Sequence, residues 1–308
     1  MPQALLDVIQ SRVLLCDGAM GTQLQQAGLE AGGCGEAWNV DHPERVKAIQ
    51  QRYRDAGSDL IITNTFGGCR ITLGRHDQQG RAAELNEAGA RVAREVMGAG
   101  RWVIGDIGPF GGIMAPLGDV EPEDVAAAFL EQARALVRGG VDAIIVETQT
   151  ALEELELGVE AAKRAIGEAG KTGQIAVIGS MAYDRTKSGP PRTMMGVTPA
   201  AAAEKMAALG VDIIAANCGT KIGITEYADI VRLYSEAVPG KPLMAQPNAG
   251  MPEIIDDKIV YHETPEMMAA GLQALVDAGA RIVGGCCGTT PEHIRHFRRE
   301  VDRINSGR

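Results

Sequence analysis

Short apolar runs recur along the chain, and each ends at glycine or polar residues before a longer amphipathic stretch begins. The runs are continuously apolar rather than alternating, which is typical of strands buried on both faces of a parallel sheet. The pattern therefore predicts eight β-strands of this kind. They are Val13–Cys16, Asp59–Thr63, Trp102–Asp106, Val141–Glu147, Ile175–Ser180, Val211–Asn217, Pro242–Gln246 and Arg281–Gly285.

The stretches between these runs have helical spacing, and several begin after Thr or Ser and end at Gly. The predicted helices are Pro43–Ala56, Pro122–Arg138, Ala151–Glu168, Ala200–Leu209, Glu226–Ala237, Pro265–Ala278 and Pro291–Ile304. Eight strand–helix units without a break in composition predict an α/β fold, a single-domain (β/α)₈ TIM barrel over residues 1–308. An open doubly wound sheet is the alternative.

The 308 residues are 45% hydrophobic and 23% charged, which is the balance of a soluble globular protein. The formal net charge of −10 argues against binding to nucleic acid or to an anionic membrane surface, because both favour clustered Lys and Arg. No apolar run reaches the roughly 18–20 residues of a spanning helix, and the first residues lack a basic signal-peptide start. We therefore predict a cytosolic protein with no nucleic-acid or membrane partner.

Six cysteines are spaced unevenly along the chain, and two of them are adjacent. In a reducing cytosol such thiols ligate metals, carry out chemistry or fill the core rather than form disulfides. Active sites of barrels lie at the carboxyl ends of the strands. Cys218 ends the sixth predicted strand and Cys286–Cys287 follow the eighth, so we expect these three thiols to converge. For Cys16, Cys34 and Cys69 we predict packing or loop roles.

Three cysteines at one rim suit Zn²⁺, since three protein ligands leave the fourth tetrahedral position open for a substrate. For both Cys286 and Cys287 to face one point, the chain must leave strand geometry there, and Gly284, Gly285 and Gly288 allow this. A thiol substrate at the open position would lose its proton to become a nucleophile. The pattern thus predicts alkyl transfer to sulfur. The alternative is that these cysteines only fill the core.

Several segments at the predicted strand ends resemble the homocysteine S-methyltransferase family, in the expected order from about Val13 to Phe297. They are Asp17–Thr22, Thr63–Phe66, Asn217–Gly219, Pro247–Gly250 and Gly284–Ile294. The last segment is very specific, and Pro247–Gly250 is most similar to the homocysteine-binding barrel of cobalamin-dependent methionine synthase. The resemblance implies zinc-dependent conversion of homocysteine to methionine, by SN2 transfer of a methyl group to the zinc-bound thiolate.

The resemblance also implies which residues take part in catalysis. Cys218, Cys286 and Cys287 match the zinc ligands of the family. Asn248 matches a residue that supplies a fourth, oxygen ligand until the substrate displaces it. These four are the predicted catalytic residues.

The predicted substrate-binding residues are Asp17, Gly18, Asn64 and Glu147. Glu147 matches the acid that binds the α-amino group of the substrate, and Asp17 with the backbone at Gly18 matches the loop that holds its amino-acid end. The alternatives are an ion pair with an Arg for Glu147, a turn or helix cap for Asp17, and a loop-closing hydrogen bond for Asn64. For His293, inside the last helix, we expect a helical surface or packing role rather than a metal-ligand role.

The sequence leaves several methyl donors open. No Asp-x-His-x-x-Gly cobalamin motif occurs, so we expect methylcobalamin to be carried by a separate corrinoid protein or domain. A sulfonium donor, S-methylmethionine or S-adenosylmethionine, is second. Betaine is third, since it would need an aromatic cage, for which Trp38, Phe66 and Phe110 are candidates. The pattern is also compatible with methyl transfer to a different thiol, and with a non-enzymatic module that stores zinc or scaffolds a corrinoid complex.

Overall fold

A computed structural model describes residues 4–255 and 258–307 of the chain. Within these residues, eight parallel strands form a nearly closed barrel in the order β1-β10-β7-β6-β5-β4-β3-β2, and β8 and β9 form a separate antiparallel hairpin. This order confirms the predicted (β/α)₈ barrel. The strands are β1 (Leu14–Leu15), β2 (Leu60–Ile62), β3 (Trp102–Ile107), β4 (Ala143–Gln149), β5 (Ala176–Met181), β6 (Ile213–Asn217), β7 (Leu243–Gln246), β8 (Pro252–Ile255), β9 (Lys258–Tyr261) and β10 (Ala280–Val283).

One long helix follows each barrel strand and covers the outside of the barrel. These helices are α4 (Pro43–Ala56), α6 (Ala82–Met97), α7 (Pro122–Gly139), α8 (Leu152–Glu168), α9 (Pro199–Ala208), α10 (Ile224–Ala237), α11 (Pro265–Asp277) and α12 (Pro291–Ser306). The seven predicted helices are confirmed within two residues at each end. Shorter helices are α1 (Leu5–Ser11), α2 (Gly21–Gln26), α3 (Trp38–Asp41) and α5 (Arg70–Leu73). Across the described part of the chain, no helix is both long and apolar enough to cross a membrane.

The sequence prediction missed the outer helix α6, the β8–β9 hairpin and the four short helices α1, α2, α3 and α5. Gly89 lies in the middle of α6, where glycine lowers helix propensity. The structure shows why it is there, because a Cβ at Gly89 would lie 2.6 Å from Nδ2 of Asn39. The hairpin pairs Pro252 with Tyr261 and lies between β7 and α11, where the sequence suggested only a connection.

The inside of the barrel is apolar along most of each strand and polar at the carboxyl ends of the strands. Alternate residues of each strand face inward, as in Trp102 and Ile104 of β3 or Ala143 and Ile145 of β4, and they form one buried apolar cluster. Leu5, Val8 and Ile9 of α1 belong to the same cluster. The next inward positions are buried polar residues, which form the floor of the barrel mouth. These residues are Asp106, Glu147, Ser180, Asn217 and Gln246.

At the opposite end, a Gly-x-Asp pattern recurs before three strands and has a structural purpose. Asp59, Asp142 and Asp212 each precede a strand and bind the neighbouring strand at two points. Their backbone N–H groups donate to the carbonyls of Leu15, Val103 and Val177, at 2.7, 2.8 and 2.8 Å. Their carboxylates accept the backbone N–H groups of the same three residues, at 2.9, 2.7 and 2.8 Å. The repeated Asp therefore fastens adjacent strands where the barrel begins.

Candidate active site

A cavity of about 380 Å³ opens at the carboxyl ends of the barrel strands. It is the place where the sequence predicted the site, and it brings together seven of the eight predicted site residues. Those lining it are Asp17, Gly18, Asn64, Glu147, Cys218, Cys286 and Cys287. The eighth, Asn248, lies directly behind the thiols, with its Nδ2 3.7 Å from Sγ of Cys218.

The three cysteines at the rim form one compact cluster. Sγ atoms of Cys218, Cys286 and Cys287 all lie within 4.8 Å of one another, and those of Cys218 and Cys287 are 3.9 Å apart. All three side chains are partly exposed to the cavity. This is the sole group of three or more Cys, His, Asp or Glu side chains with such spacing in the described ranges. The remaining cysteines, Cys16, Cys34 and Cys69, lie outside it, and Cys16 and Cys69 are buried in the core.

Backbone geometry, not strand alternation, brings the thiols together. β10 ends at Val283, so Cys286 and Cys287 lie in the turn beyond it, where N–H of Cys286 donates to the carbonyl of Pro247 at 2.9 Å. Cys218 has a φ of 59°, a left-handed conformation that non-glycine residues rarely adopt. The ring of Tyr261 on β9 lies only 2.2 Å from where a Cβ of Gly288 would be, so this turn requires glycine.

Two asparagines hold the thiol cluster in place. Oδ1 of Asn217 accepts hydrogen bonds from N–H of Thr148 at 2.9 Å and from Oγ of Ser180 at 2.6 Å, and its Nδ2 points to Sγ of Cys286 at 3.8 Å. Asn248 accepts the N–H of Cys287 at its Oδ1, 3.0 Å away, and donates from Nδ2 to the carbonyl of Gly219 at 2.9 Å. The Nδ2 of Asn248, rather than the predicted oxygen, therefore faces the thiols in this conformation.

The close approach of the three thiols lowers the pKa of one of them. Hydrogen bonds from Cys286 and Cys287 lower the pKa of Cys218 to about 3, although burial opposes this. The same contacts raise the pKa of Cys286 and Cys287, since those two thiols then hold the shared protons. A cluster that stabilises a thiolate in this way is prepared to bind a soft cation.

The same cavity is also lined by buried carboxyl groups, those of Asp17, Asp106 and Glu147. Burial raises the pKa of Asp17 to about 7 and that of Glu147 to about 8, the negative charges of Cys218 and Asp17 adding to the second shift. Burial, and then the charge of Glu147, also raises the pKa of Asp106 well above its usual value. No Lys, Arg or His side chain of the described residues lines this cavity. Within the described residues the cavity thus offers acceptors for a cationic group and has no basic side chain of its own.

Gly18 allows two loops to pack closely at the cavity edge. A Cβ at this position would lie 2.5 Å from Oγ1 of Thr289, and the neighbouring N–H of Ala19 donates to that oxygen at 3.1 Å. The hydroxyl of Tyr53 donates to the carbonyl of Ala19 at 2.6 Å and lies 3.2 Å from that of Thr289. The loop after β1 is thereby fixed against the loop that carries Cys286.

Asn64 and His293 are held by structural hydrogen bonds. Nδ2 of Asn64 donates to the carbonyl of Gly35 at 2.8 Å and to Oδ1 of Asn39 at 3.0 Å, which is the loop-closing arrangement. His293 lies 3.0 Å by its Nε2 from the carbonyl of Glu263, and its Nδ1 caps the start of α12. These contacts place His293 in a packing role.

Sequence reasoning missed three residues that build the cavity. Asp106, Tyr53 and Thr289 lie within predicted elements or family segments, but no motif draws attention to them. The signal for Asp106 was its position, because it follows Trp102 and Ile104 on the inward face of β3 at the carboxyl end. Tyr53 and Thr289 could not have been paired without the fold, as 236 residues separate them.

Comparison with known proteins assigns the chain to a family. A sequence profile of the homocysteine S-methyltransferase family matches residues 14–301. Methionine synthases of Mycobacterium leprae and Mycobacterium tuberculosis are each 36% identical to the chain, over 98% and 97% of its length. The chain spans 25% of the length of each of these relatives.

The fold agrees with a solved structure of lower sequence identity. The metallated homocysteine methyltransferase MmuM of Escherichia coli superimposes with a TM-score of 0.74 at 20% identity, covering 96% of this chain and 98% of that one. At 20% identity this structural similarity is evidence for the fold only. The evidence for the family comes from the sequence matches. The chain therefore belongs to the homocysteine S-methyltransferase family, a family of methyltransferases.

Proposed function

We propose that this barrel transfers a methyl group to the sulfur of homocysteine and forms methionine in the cytosol, with Zn²⁺ held by Cys218, Cys286 and Cys287. The methyl donor is methylcobalamin on a separate corrinoid protein or domain. The observation that carries the proposal is that three converging thiols and several buried carboxyls line one cavity. A thiol amino acid with an α-ammonium group matches both sets of residues.

The thiol cluster fits the metal in chemistry and in spacing. In a tetrahedral zinc site with Zn–S bonds of about 2.3 Å, sulfur atoms are roughly 3.8 Å apart. The 3.9 Å between Sγ of Cys218 and Sγ of Cys287 is close to this value. Zn²⁺ bound here would accept the substrate thiol as a further ligand and lower its pKa, which supplies a thiolate near neutral pH.

The residues of the chain orient that sulfur. Glu147 and Asp17 accept hydrogen bonds from the α-ammonium group, and the fixed loop at Gly18 binds the amino-acid end through its backbone. The sulfur then attacks the methyl carbon of the donor, and the electron pair of the broken bond stays with the donor. Positioning of both reactants supplies much of the rate enhancement.

The exposed surface around the cavity supports a large donor. Five of the six large hydrophobic side chains exposed in the described part of the chain belong to loops that follow barrel strands, and the sixth begins α11. They are Phe66, Ile113, Leu117, Met194, Met195 and Met267. Apolar side chains exposed in loops at this end of the barrel are available for contact with a donor-carrying protein or domain. The methionine synthases at 36% identity are about four times as long as the matched segment, which leaves room there for a donor domain.

The aromatic residues argue against betaine as donor. Trp38 and Phe110 are buried in the core, 8% and 1% exposed, and only Phe66 of the three candidates lines the cavity. A quaternary ammonium group would need aromatic faces around it. The donor is tested by supplying free methylcobalamin, S-methylmethionine, S-adenosylmethionine and betaine in parallel and measuring methionine. Formation with a sulfonium compound and none with methylcobalamin would replace the corrinoid donor.

The zinc site is tested by removing one thiol. Cys286→Ser should lose both bound zinc, measured by elemental analysis, and methionine formation. Cys69→Ser is the matched control, because Cys69 is a buried thiol outside the cluster, and it should retain both. A Cys286→Ser protein that is free of zinc and fully active would overturn the proposed function.

A further inference from the structure

The main-chain carbonyl of Cys218 is held by a tyrosine that the proposed function does not use. Tyr227 lies in the first turn of α10, is fully buried, and donates a hydrogen bond from its hydroxyl to this carbonyl. No backbone N–H of the described residues donates to the same carbonyl. A buried hydroxyl thus fixes the main chain of one of the three clustered cysteines.

Cys218 needs such support because its backbone is strained. Its φ of 59° lies in the left-handed region, which brings the Cβ of a non-glycine residue too close to a carbonyl oxygen. Conformations of this kind persist only where the surrounding structure holds them, and they are frequent at functional sites. Cys218 therefore depends on its neighbours to keep its Sγ in the thiol cluster.

Three parts of the fold hold the segment around Cys218. Tyr227 contacts it from α10, and the N–H of Cys218 donates to the carbonyl of Gln246 on β7 at 3.3 Å. The loop after β5 packs against the next residue, Gly219, where a Cβ would lie 2.0 Å from the carbonyl oxygen of Tyr183. Among the described residues, Tyr227 supplies the side-chain hydrogen bond to the main chain of Cys218 itself.

We propose that Tyr227 is a positioning residue for the zinc site, which holds Cys218 in its left-handed conformation so that its sulfur completes the set of three ligands. The proposal rests on the function proposed above and deepens it, because it names a residue that does not line the cavity and yet sets the affinity for the metal. Groups that orient a metal ligand contribute to binding, and their loss typically weakens metal affinity about 10- to 100-fold.

Removal of the hydroxyl tests the proposal. Tyr227→Phe keeps the ring in the core and deletes the hydrogen bond to the carbonyl of Cys218. The Kd for Zn²⁺, measured by competition with a chromophoric chelator, should rise at least about tenfold. Circular dichroism shows whether the variant is folded. If it is not, Tyr227→Met fills the space without a hydroxyl and serves as the second variant, with the same rise in Kd expected.

The matched control is Tyr234→Phe. Tyr234 lies about two turns further along α10 and is also fully buried. Its hydroxyl lies 2.7 Å from that of Tyr183 and donates to the carbonyl of Ala215 at 3.2 Å, away from the cysteine segment. This variant should have a lower melting temperature and an unchanged Kd for Zn²⁺. An unchanged Kd in Tyr227→Phe would overturn the proposal, as would an equal rise in both variants.

The same measurements separate this inference from the proposed function. Wild-type protein that binds no Zn²⁺ would overturn the proposed function and the role of Tyr227 with it. Wild-type binding together with an unchanged Kd in Tyr227→Phe would overturn the inference alone. If the Kd depends on Tyr227 and none of the donors yields methionine, the inference stands and the proposed reaction fails.

Discussion

Carboxyl groups lie at both ends of this barrel, but their partners differ. Where the strands begin, Asp59, Asp142 and Asp212 each accept a backbone N–H from the neighbouring strand. Asp142 also pairs with Arg94, and Asp59 with Arg298. Where the strands end, a carboxyl oxygen of Asp106 has no partner among the described residues, and Glu147 faces a cavity without basic side chains.

The difference shows how one residue type can serve stability or binding. A carboxylate with backbone donors and an arginine is stabilised when charged, and it contributes to folding. A buried carboxyl without such partners lowers stability until a ligand supplies them. In barrels the end where strands begin serves stability and the end where they finish serves chemistry. Here the contrast can be followed in individual hydrogen bonds.

Glu147→Gln should have the largest effect on function. We expect KM for homocysteine to rise about 10- to 100-fold, since a hydrogen bond to a charged group contributes roughly 1.5–3 kcal/mol. The melting temperature at neutral pH should stay the same or rise, because burial raises the pKa of Glu147 to about 8 and an amide removes the cost of keeping this carboxyl protonated. Steady-state kinetics and thermal unfolding measure the two effects. A lower melting temperature with unchanged KM would place Glu147 with the structural carboxylates.

Asp142→Ala, at the end of the barrel where the strands begin, should lower stability and leave substrate binding unchanged. The variant leaves the N–H of Val103 without its acceptor and Arg94 without its ion pair. We expect a loss of about 1–3 kcal/mol in the free energy of unfolding, measured in denaturant, with KM unchanged. Asp142→Asn keeps an acceptor oxygen, so its free energy of unfolding should lie between those of Asp142→Ala and the wild type. A change in KM without loss of stability would show that Asp142 serves function, which contradicts a purely structural role for the carboxylates at this end.

The pH dependence of stability should give the smallest effect. The pKa values of Asp17 and Glu147 are raised to about 7 and about 8. Carboxyls of the unfolded chain release their protons at about pH 4, so the folded ligand-free protein binds more protons between these limits. The free energy of unfolding should therefore fall as the pH rises from about 4 to about 8.

Melting temperatures of the metal-free protein near pH 5 and near pH 8 check this expectation. Glu147→Gln should reduce the fall between the two pH values relative to the wild type. Asp142→Asn, at the other end of the barrel, should leave that fall unchanged. An identical pH dependence in wild type and Glu147→Gln would show that Glu147 is ionised throughout this range.

The regular parts of the fold were predictable because they depend on local pattern. All eight barrel strands and seven of their helices follow from continuous apolar runs and helical spacing. The prediction failed at α6, where Gly89 weakens the local signal and contact with Asn39 requires it. It also failed at the β8–β9 hairpin, whose strands form outside the barrel after a buried strand.

The sequence by itself determined the barrel, the family and the identity of the thiols, because strand order along the chain places the carboxyl ends at one rim. Only the tertiary structure decided how that rim works. The left-handed backbone at Cys218, the packing of Thr289 on Gly18 and the missing partner of Asp106 each depend on residues distant in sequence. Local patterns specify which elements form, whereas the partners of a buried polar group are set by long-range packing.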